Sequence, residues 1–358
     1  MVRGSGASAS ADAGLWDAVD RLIDRAPKLS DLKAHGLHLL AARRWRELGL
    51  EVPASLVQTQ RGAAFVQLMV PALLERLRAS CSGPLVLMKG PEVAVHYPDP
   101  ALRSFRDLDL LVPDAQSTQH ELIRAGFELT GDPTLYEDIH HLRPLTWPGL
   151  PLLIEIHDRP KWVEGIGPPS KEELIESAAP SSLGAEGILA LPPVTHTLVL
   201  AAHSWAHVPL SKLVHLVDIA AVSGGLDRRE LDALAREWGL LRVWRATQNA
   251  SDSVLFGRRR SLPLRTWARN LDAVRERTVI EAHVEKWLSV CWALPTRRAL
   301  RKTAHGLAAQ LRPEPGETWR RKIRRTRHAL RDAFVRLSEH DRAVEEGGAE
   351  APSMRGGT

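Results

Sequence analysis

The chain has 358 residues, 44% apolar and 25% charged, an ordinary soluble balance with length for two or three packed modules. Two cysteines, Cys81 and Cys291, leave no room for a disulfide framework or a CxxC metal motif, so a reducing cytoplasm is the expected setting. The opening MVRGSGASASADAG lacks an apolar signal core, and no apolar run is long enough to cross a membrane.

The formal net charge of +5 is concentrated late in the sequence: residues 297–331 carry twelve lysines and arginines against two glutamates, Glu314 and Glu317. Such a block either attracts polyanions, including nucleic acid, nucleotides and acidic surfaces, or is a solvated helix face.

In chain order, residues 1–12 are rich in Gly, Ser and Ala and are expected to be disordered. A helical module follows over 13–82. Leu15, Trp16, Val19, Leu22 and Ile23 set a helical period that ends near Pro27. Ser30 and Asp31 cap a second helix reaching Gly49, and a third runs from Pro53 to about Ser80, kinked or divided by Pro71. An α/β core is expected over 83–165. Its strands are Leu85–Met88, Arg106–Val112, Phe127–Leu129, His140–Leu145 and Leu152–His157, and Asp114 and Gly126 bracket a helix. From 166 to 311 the pattern is helical again, a candidate substrate- or nucleotide-binding domain. A basic helix is expected within 312–340, and residues 341–358 form a polar tail expected to be disordered.

The chemistry gathers in VLMKGPEVAVHYPDPALRSFRDLDLLV, residues 86–112. Successive strand side chains alternate faces, so Asp107 and Asp109 share one face while Leu108 and Leu110 pack behind them. Two carboxylates in an apolar strand are costly to bury without a cation, and a hard divalent ion such as Mg²⁺ fits oxygen donors of this kind. A third acid, Glu155, sits in a second alternating run, LLIEIH, and together the three outline a two-metal phosphoryl-transfer site. The bland alternative is a surface strand with solvated acids.

The ordered set LMKG, HYPDPALR, RDLDLLV and IEIH resembles an uncharacterised bacterial family of nucleotidyltransferases within the polymerase-β-like superfamily, over roughly residues 30–260. The resemblance implies an α+β fold: a small mixed-sheet polymerase-β-like nucleotidyltransferase core flanked by N- and C-terminal helical regions. It implies Gly90 as the turn glycine, Asp107 and Asp109 as the metal pair and Glu155 as the third carboxylate, with Mg²⁺ or Mn²⁺ as cofactor. An NTP is the implied donor, its NMP moved to an acceptor with release of pyrophosphate. Gly90 is followed by Pro91 rather than Gly or Ser, and seventeen positions separate Gly90 from Asp107, both departures from the wider superfamily.

Around this core, Lys89 is a candidate phosphate contact in place of the missing serine, or a lysine snorkelling from the strand end. Arg103 and Arg106 either neutralise phosphate or pair with the aspartates. His203 and Lys212 are candidate phosphate or base contacts, and Asp218 orients such a group or satisfies buried backbone. His203 and His207 have the i, i+4 spacing of a zinc helix, but Ser204 stands where a general-base glutamate belongs, and zinc is not favoured. His140, His141 and His157 are candidates for the acceptor side or ordinary core histidines. The expected acceptor is a peptide, a small metabolite or RNA, the last suggested by the basic segment 297–331. The competing reading is a non-catalytic nucleotide-binding or interaction protein whose basic C-terminal segment docks a partner or RNA.

Overall fold

A seven-stranded mixed sheet organises the chain, seen in a computed structural model that describes residues 5–136, 139–313 and 316–338. The strands are β1 (Leu85–Leu87), β2 (Asp107–Leu111), β3 (Glu128–Leu129), β4 (Leu145–Thr146), β5 (Leu153–His157), β6 (Ala179–Pro180) and β7 (Ile188–Ala190). Their order across the sheet is β3-β4-β5-β2-β1-β7-β6. The central pair β2 and β5 run parallel, and β1 lies antiparallel to β2 and parallel to β7. The fold is the α+β arrangement expected of a nucleotidyltransferase core with helical flanks.

Alternation fixes what each face does. Leu85, Leu87, Leu108, Leu110, Ile154 and Ile156 are buried in one cluster with Val70, Leu73, Leu74 and Leu77 of the helix Ala54–Ser80. At roughly 1.5–3 kcal/mol for each fully buried aliphatic side chain, this face pins the register. A one-residue slip of β2 would drive Asp107 and Asp109 into the apolar layer, so the carboxylates are held on the opposite face. That opposite face carries Val86, Met88 and Leu111, which join a second cluster with the helices Pro193–His207 and Leu213–Val222.

The flanking helices form one continuous core with each other. Asp31, fully buried, takes Arg336 at 2.8 Å and the backbone N–H of Glu276 at 3.1 Å. His35 meets the carbonyl of Arg275 at 2.8 Å. The N-terminal helices are therefore tied to the C-terminal ones rather than standing as a separate layer.

Several elements differ from the sequence reading. The first helix, Ser5–Arg25, begins inside the stretch expected to be disordered. The second expected helix is two, Leu29–Ala34 and His38–Glu47, separated at Gly36, whose φ of 73° suits glycine. The helix Ala54–Ser80 runs unbroken through Pro71. The segment after Ser170 is not wholly helical, since β6 and β7 lie within it and complete the sheet edge. The expected cap of Asp114 is present, its carboxylate accepting from the backbone N–H of Ser117 at 2.9 Å. The basic helix is Trp319–Arg331, capped by Thr318, and the expected C-terminal tail lies outside the described residues.

Candidate metal centre

Parallel pairing of β2 and β5 sets Asp109 opposite Glu155, with Asp107 opposite Leu153 and Leu111 opposite His157. Residues paired in register on adjacent strands point to the same face. The i, i+2 spacing within each strand therefore brings Asp107, Asp109, Glu155 and His157 to one side of the sheet. Asp109 and His157 are each 1% exposed, whereas Asp107 and Glu155 are half-buried.

His157 Nε2 lies 3.2 Å from Asp109 Oδ1 and 3.6 Å from Glu155 Oε2. A second imidazole arrives from the loop before β4, where His141 Nε2 is 3.7 Å from Glu155 Oε2. One ligand atom from each of Asp109, Glu155 and His157 lies within 4.8 Å of the others, the spacing of donors around one ion. Asp107 adjoins this trio. Its carboxyl is pushed up to about 6, first by burial and then by the neighbouring charge of Asp109. Burial alone would also raise Asp109, but the Lys89 ammonium and His157 outweigh it and hold that carboxyl well below the usual range. Burial disfavours the charged form of His157, yet hydrogen-bonding proximity to Asp109 and Glu155 leaves its pKa raised.

Cations face these acids from the helical side. Lys89 Nζ stands 3.5 Å from Asp109 Oδ2 and donates to His203 Nε2 at 3.0 Å. Burial, then the charge of Lys89, keeps the His203 pKa well below the ordinary value, so His203 accepts as a neutral ring. Lys161 Nζ is 2.8 Å from His207 Nδ1, and Lys161 is itself depressed by burial and by the charge of Lys89. The His207 pKa is pushed down to about 4, by burial and then by Lys161. The His203 and His207 rings touch, with centroids 4.5 Å apart. Their i, i+4 spacing thus sets two lysine partners side by side.

Gly90 joins β1 to a single helical turn, Pro91–Ala94, with φ 67° and ψ −123°. A Cβ there would sit 3.0 Å from the carbonyl oxygen of Asp107, so the turn packs directly against the acid-bearing strand and only glycine fits without strain. Arg103 is engaged elsewhere. Its guanidinium holds Asp218 through Nε at 2.8 Å and Nη2 at 2.9 Å, and donates to the Gly90 carbonyl at 3.2 Å. Tyr97 donates to the same carboxylate at 2.7 Å. Arg106 is exposed at the start of β2, and Lys212 is exposed at the N-terminal end of the helix Leu213–Val222.

Of the residues singled out in the sequence, the fold brings together Asp107, Asp109, Glu155, Lys89, Gly90 and His203. It turns Arg103 toward Asp218 and leaves Arg106 and Lys212 at the surface. Sequence reasoning gave His157 no donor role, although its i, i+2 spacing from Glu155 placed it on the acid face. Lys161 carried no signal in the sequence, because tertiary packing alone brings it to His207.

The donor chemistry fits a divalent cation. Asp109, Glu155 and His157 offer two carboxylates and an imidazole within reach of one ion, and His157 Nδ1 is buried without a hydrogen-bond partner. Among the described residues, no helix is long and apolar enough to cross a membrane. Comparison with curated proteins and with solved structures finds no match. A family model described as an uncharacterised nucleotidyltransferase matches residues 28–250, which spans β1, β2, β5 and every acid, lysine and histidine placed around them. On that match, covering more than half of its length, the chain belongs to this family of uncharacterised nucleotidyltransferases.

Proposed function

We propose that the protein is a metal-dependent nucleotidyltransferase that moves a nucleoside monophosphate from an NTP to an acceptor hydroxyl and releases pyrophosphate. The observation that carries this reading is the in-register pair Asp109–Glu155, with Asp107 on the same face, inside an otherwise apolar sheet. Asp107, Asp109 and Glu155 would hold Mg²⁺ or Mn²⁺, which supplies charge neutralisation at the phosphates and lowers the pKa of a coordinated hydroxyl.

The chain's own groups divide the remaining work. Lys89 presents its ammonium to Asp109, and Lys161, held at His207, feels the charge of Glu155, so the two are suited to the β- and γ-phosphates. His203, neutral and accepting, fixes the Lys89 ammonium in place. The tight Gly90 turn packs directly on the acid-bearing strand and so sets where Lys89 stands beside Asp109. In the reaction the acceptor oxygen bonds to the α-phosphorus, its proton passes to a carboxylate such as Glu155, and the bond to the bridging α–β oxygen breaks. Peptide, small-molecule and RNA acceptors all provide the hydroxyl this requires. The basic segment 297–331 makes RNA the acceptor with charge complementarity beyond the site.

The test is transfer of label from each α-³²P NTP, with Mg²⁺ or Mn²⁺, into total small RNA, a metabolite pool or the protein itself. Label moved by the wild type and lost in the Asp107→Ala/Asp109→Ala variant supports the enzyme and identifies the acceptor class. Metal-dependent nucleotide binding that the variant loses, without transfer, supports a non-catalytic nucleotide-binding protein. Absence of both binding and transfer overturns the reading.

A further inference from the structure

Three carboxylates alone would make an all-oxygen site, the surroundings Mg²⁺ prefers. The centre described above departs from that in its nitrogen donors. His157 is 1% exposed and stands on the same strand face as Glu155, with Nε2 turned to the acids and Nδ1 buried without a hydrogen-bond partner. A buried polar atom without a partner is uncommon in folded proteins, and here one belongs to the ring whose other nitrogen faces two carboxylates.

The distances suit a common ion. Donors about 2.1 Å from a six-coordinate ion stand roughly 3 Å apart when adjacent and roughly 4.2 Å when opposite. His157 Nε2 is 3.2 Å from Asp109 Oδ1 and 3.6 Å from Glu155 Oε2, and His141 Nε2 is 3.7 Å from Glu155 Oε2. The orientation of His141 also suits a ligand, since its Nδ1 lies 2.8 Å from the Leu142 carbonyl and its Nε2 is the ring nitrogen turned toward Glu155.

We propose that Asp109, Glu155 and His157, with His141 as an adjoining nitrogen donor, form a mixed carboxylate–imidazole site that selects a first-row transition ion over Mg²⁺. Imidazole nitrogen binds Mn²⁺, Co²⁺ and their neighbours more readily than it binds Mg²⁺, which dehydrates reluctantly and takes oxygen ligands. Two imidazoles, one of them buried, beside two carboxylates therefore bias the centre by ligand type, not by charge alone. The role of this site in catalysis rests on the nucleotidyl-transfer reading, but its metal chemistry is measurable without turnover.

The test is titration of the full-length protein with Co²⁺, following its visible absorption bands, with Mg²⁺ added as competitor. The expected result is saturable Co²⁺ binding at least about tenfold tighter than Mg²⁺, with band positions of nitrogen ligation. His157→Gln is expected to weaken Co²⁺ binding about tenfold or more while leaving Mg²⁺ affinity nearly unchanged. His141→Gln, at a loop position that tolerates substitution more readily, is expected to weaken it by about threefold to tenfold and decides the matter if His157→Gln fails to fold. His283→Gln, on the helix Val279–Leu288, is the control and leaves Co²⁺ affinity unchanged.

Equal affinity for the two ions, or Co²⁺ binding untouched by both site variants, overturns the inference and makes His157 a standing counter-charge for the acids. The two readings fail separately. Nucleotide transfer with no preference between ions sinks this inference and leaves the enzyme. Tight nitrogen-ligated Co²⁺ without transfer of any nucleotide leaves the metal site and sinks the enzyme.

Discussion

Arg103 holds Asp218 through two parallel hydrogen bonds, at 2.8 and 2.9 Å, and its third arm reaches the carbonyl of Gly90 at 3.2 Å. One buried ion pair thereby fastens the glycine turn of the sheet to the helix Leu213–Val222. Burial alone would raise the Asp218 carboxyl, but the Arg103 charge outweighs it and the pKa is lowered.

Removing one partner of such a pair strands a charge out of water. Asp218→Ala is expected to destabilise the protein by about 3–5 kcal/mol in chemical denaturation. The double variant Arg103→Met/Asp218→Leu is expected to lose less than Asp218→Ala alone, because no unpaired charge remains. A double variant at least as unstable as the single would contradict this assignment.

Gly90 supplies a conformation that other residues reach only under strain. Gly90→Ala adds a Cβ 3.0 Å from the Asp107 carbonyl at a φ of 67°. A loss of roughly 1–3 kcal/mol is expected, together with weaker nucleotide binding, read by denaturation and calorimetry. Unchanged stability would mean that the turn relaxes freely.

Acid sensitivity follows from a histidine outside the metal centre. His196 is 2% exposed, and its Nε2 meets the Met88 carbonyl at 2.8 Å. Burial first, opposed by that hydrogen bond and by Glu92, moves its pKa from 6.5 down to about 4. Above 6.5 the ring is neutral in both folded and unfolded chains, and its full contribution to stability is present. As pH falls from 6.5 to 4 the unfolded chain takes up the proton first, so stability is lost at up to roughly 1.4 kcal/mol per pH unit. Thermal midpoints measured across this window should fall less steeply for His196→Gln than for the wild type. Equal slopes would remove His196 as the cause.

Lys161 is the cation that only the fold reveals. If it serves the triphosphate, Lys161→Gln removes a charge-assisted contact worth about 1.5–3 kcal/mol and weakens NTP binding by roughly tenfold to a hundredfold. The thermal midpoint should hardly change. Undiminished NTP affinity in calorimetry would assign Lys161 to His207 alone.

How far the sequence carried these conclusions depended on the range of the interaction. DLDLL and LIEIH advertise their faces through a period of two, so Asp107, Asp109 and Glu155 could be placed together before their strands were seen to pair. The same period put His157 on that face, but a single histidine has several uses, and its unpartnered Nδ1 is visible only in three dimensions. Strands β6 and β7, two and three residues long, are too short to show any period, and they are defined by pairing, β7 with β1 and β6 with β7. The pairing of Arg103 with Asp218 spans 115 positions, and nothing local in either segment distinguishes it from a phosphate contact. Gly36 was a readable break in the second helix, although an isolated glycine is also tolerated within one.

Pyrophosphate release from each NTP, measured for the wild type and Asp109→Asn beside their thermal midpoints, tests the central claim most directly. Asp109 is buried between Lys89 and His157, so removing its charge takes away their counter-charge and is expected to cost some stability. The thermal midpoint identifies the temperature range in which the variant is folded. The account predicts metal-dependent pyrophosphate release by the wild type once an acceptor is present, and a loss of about a hundredfold or more in the folded variant. Release by a folded Asp109→Asn variant at the wild-type rate would contradict it.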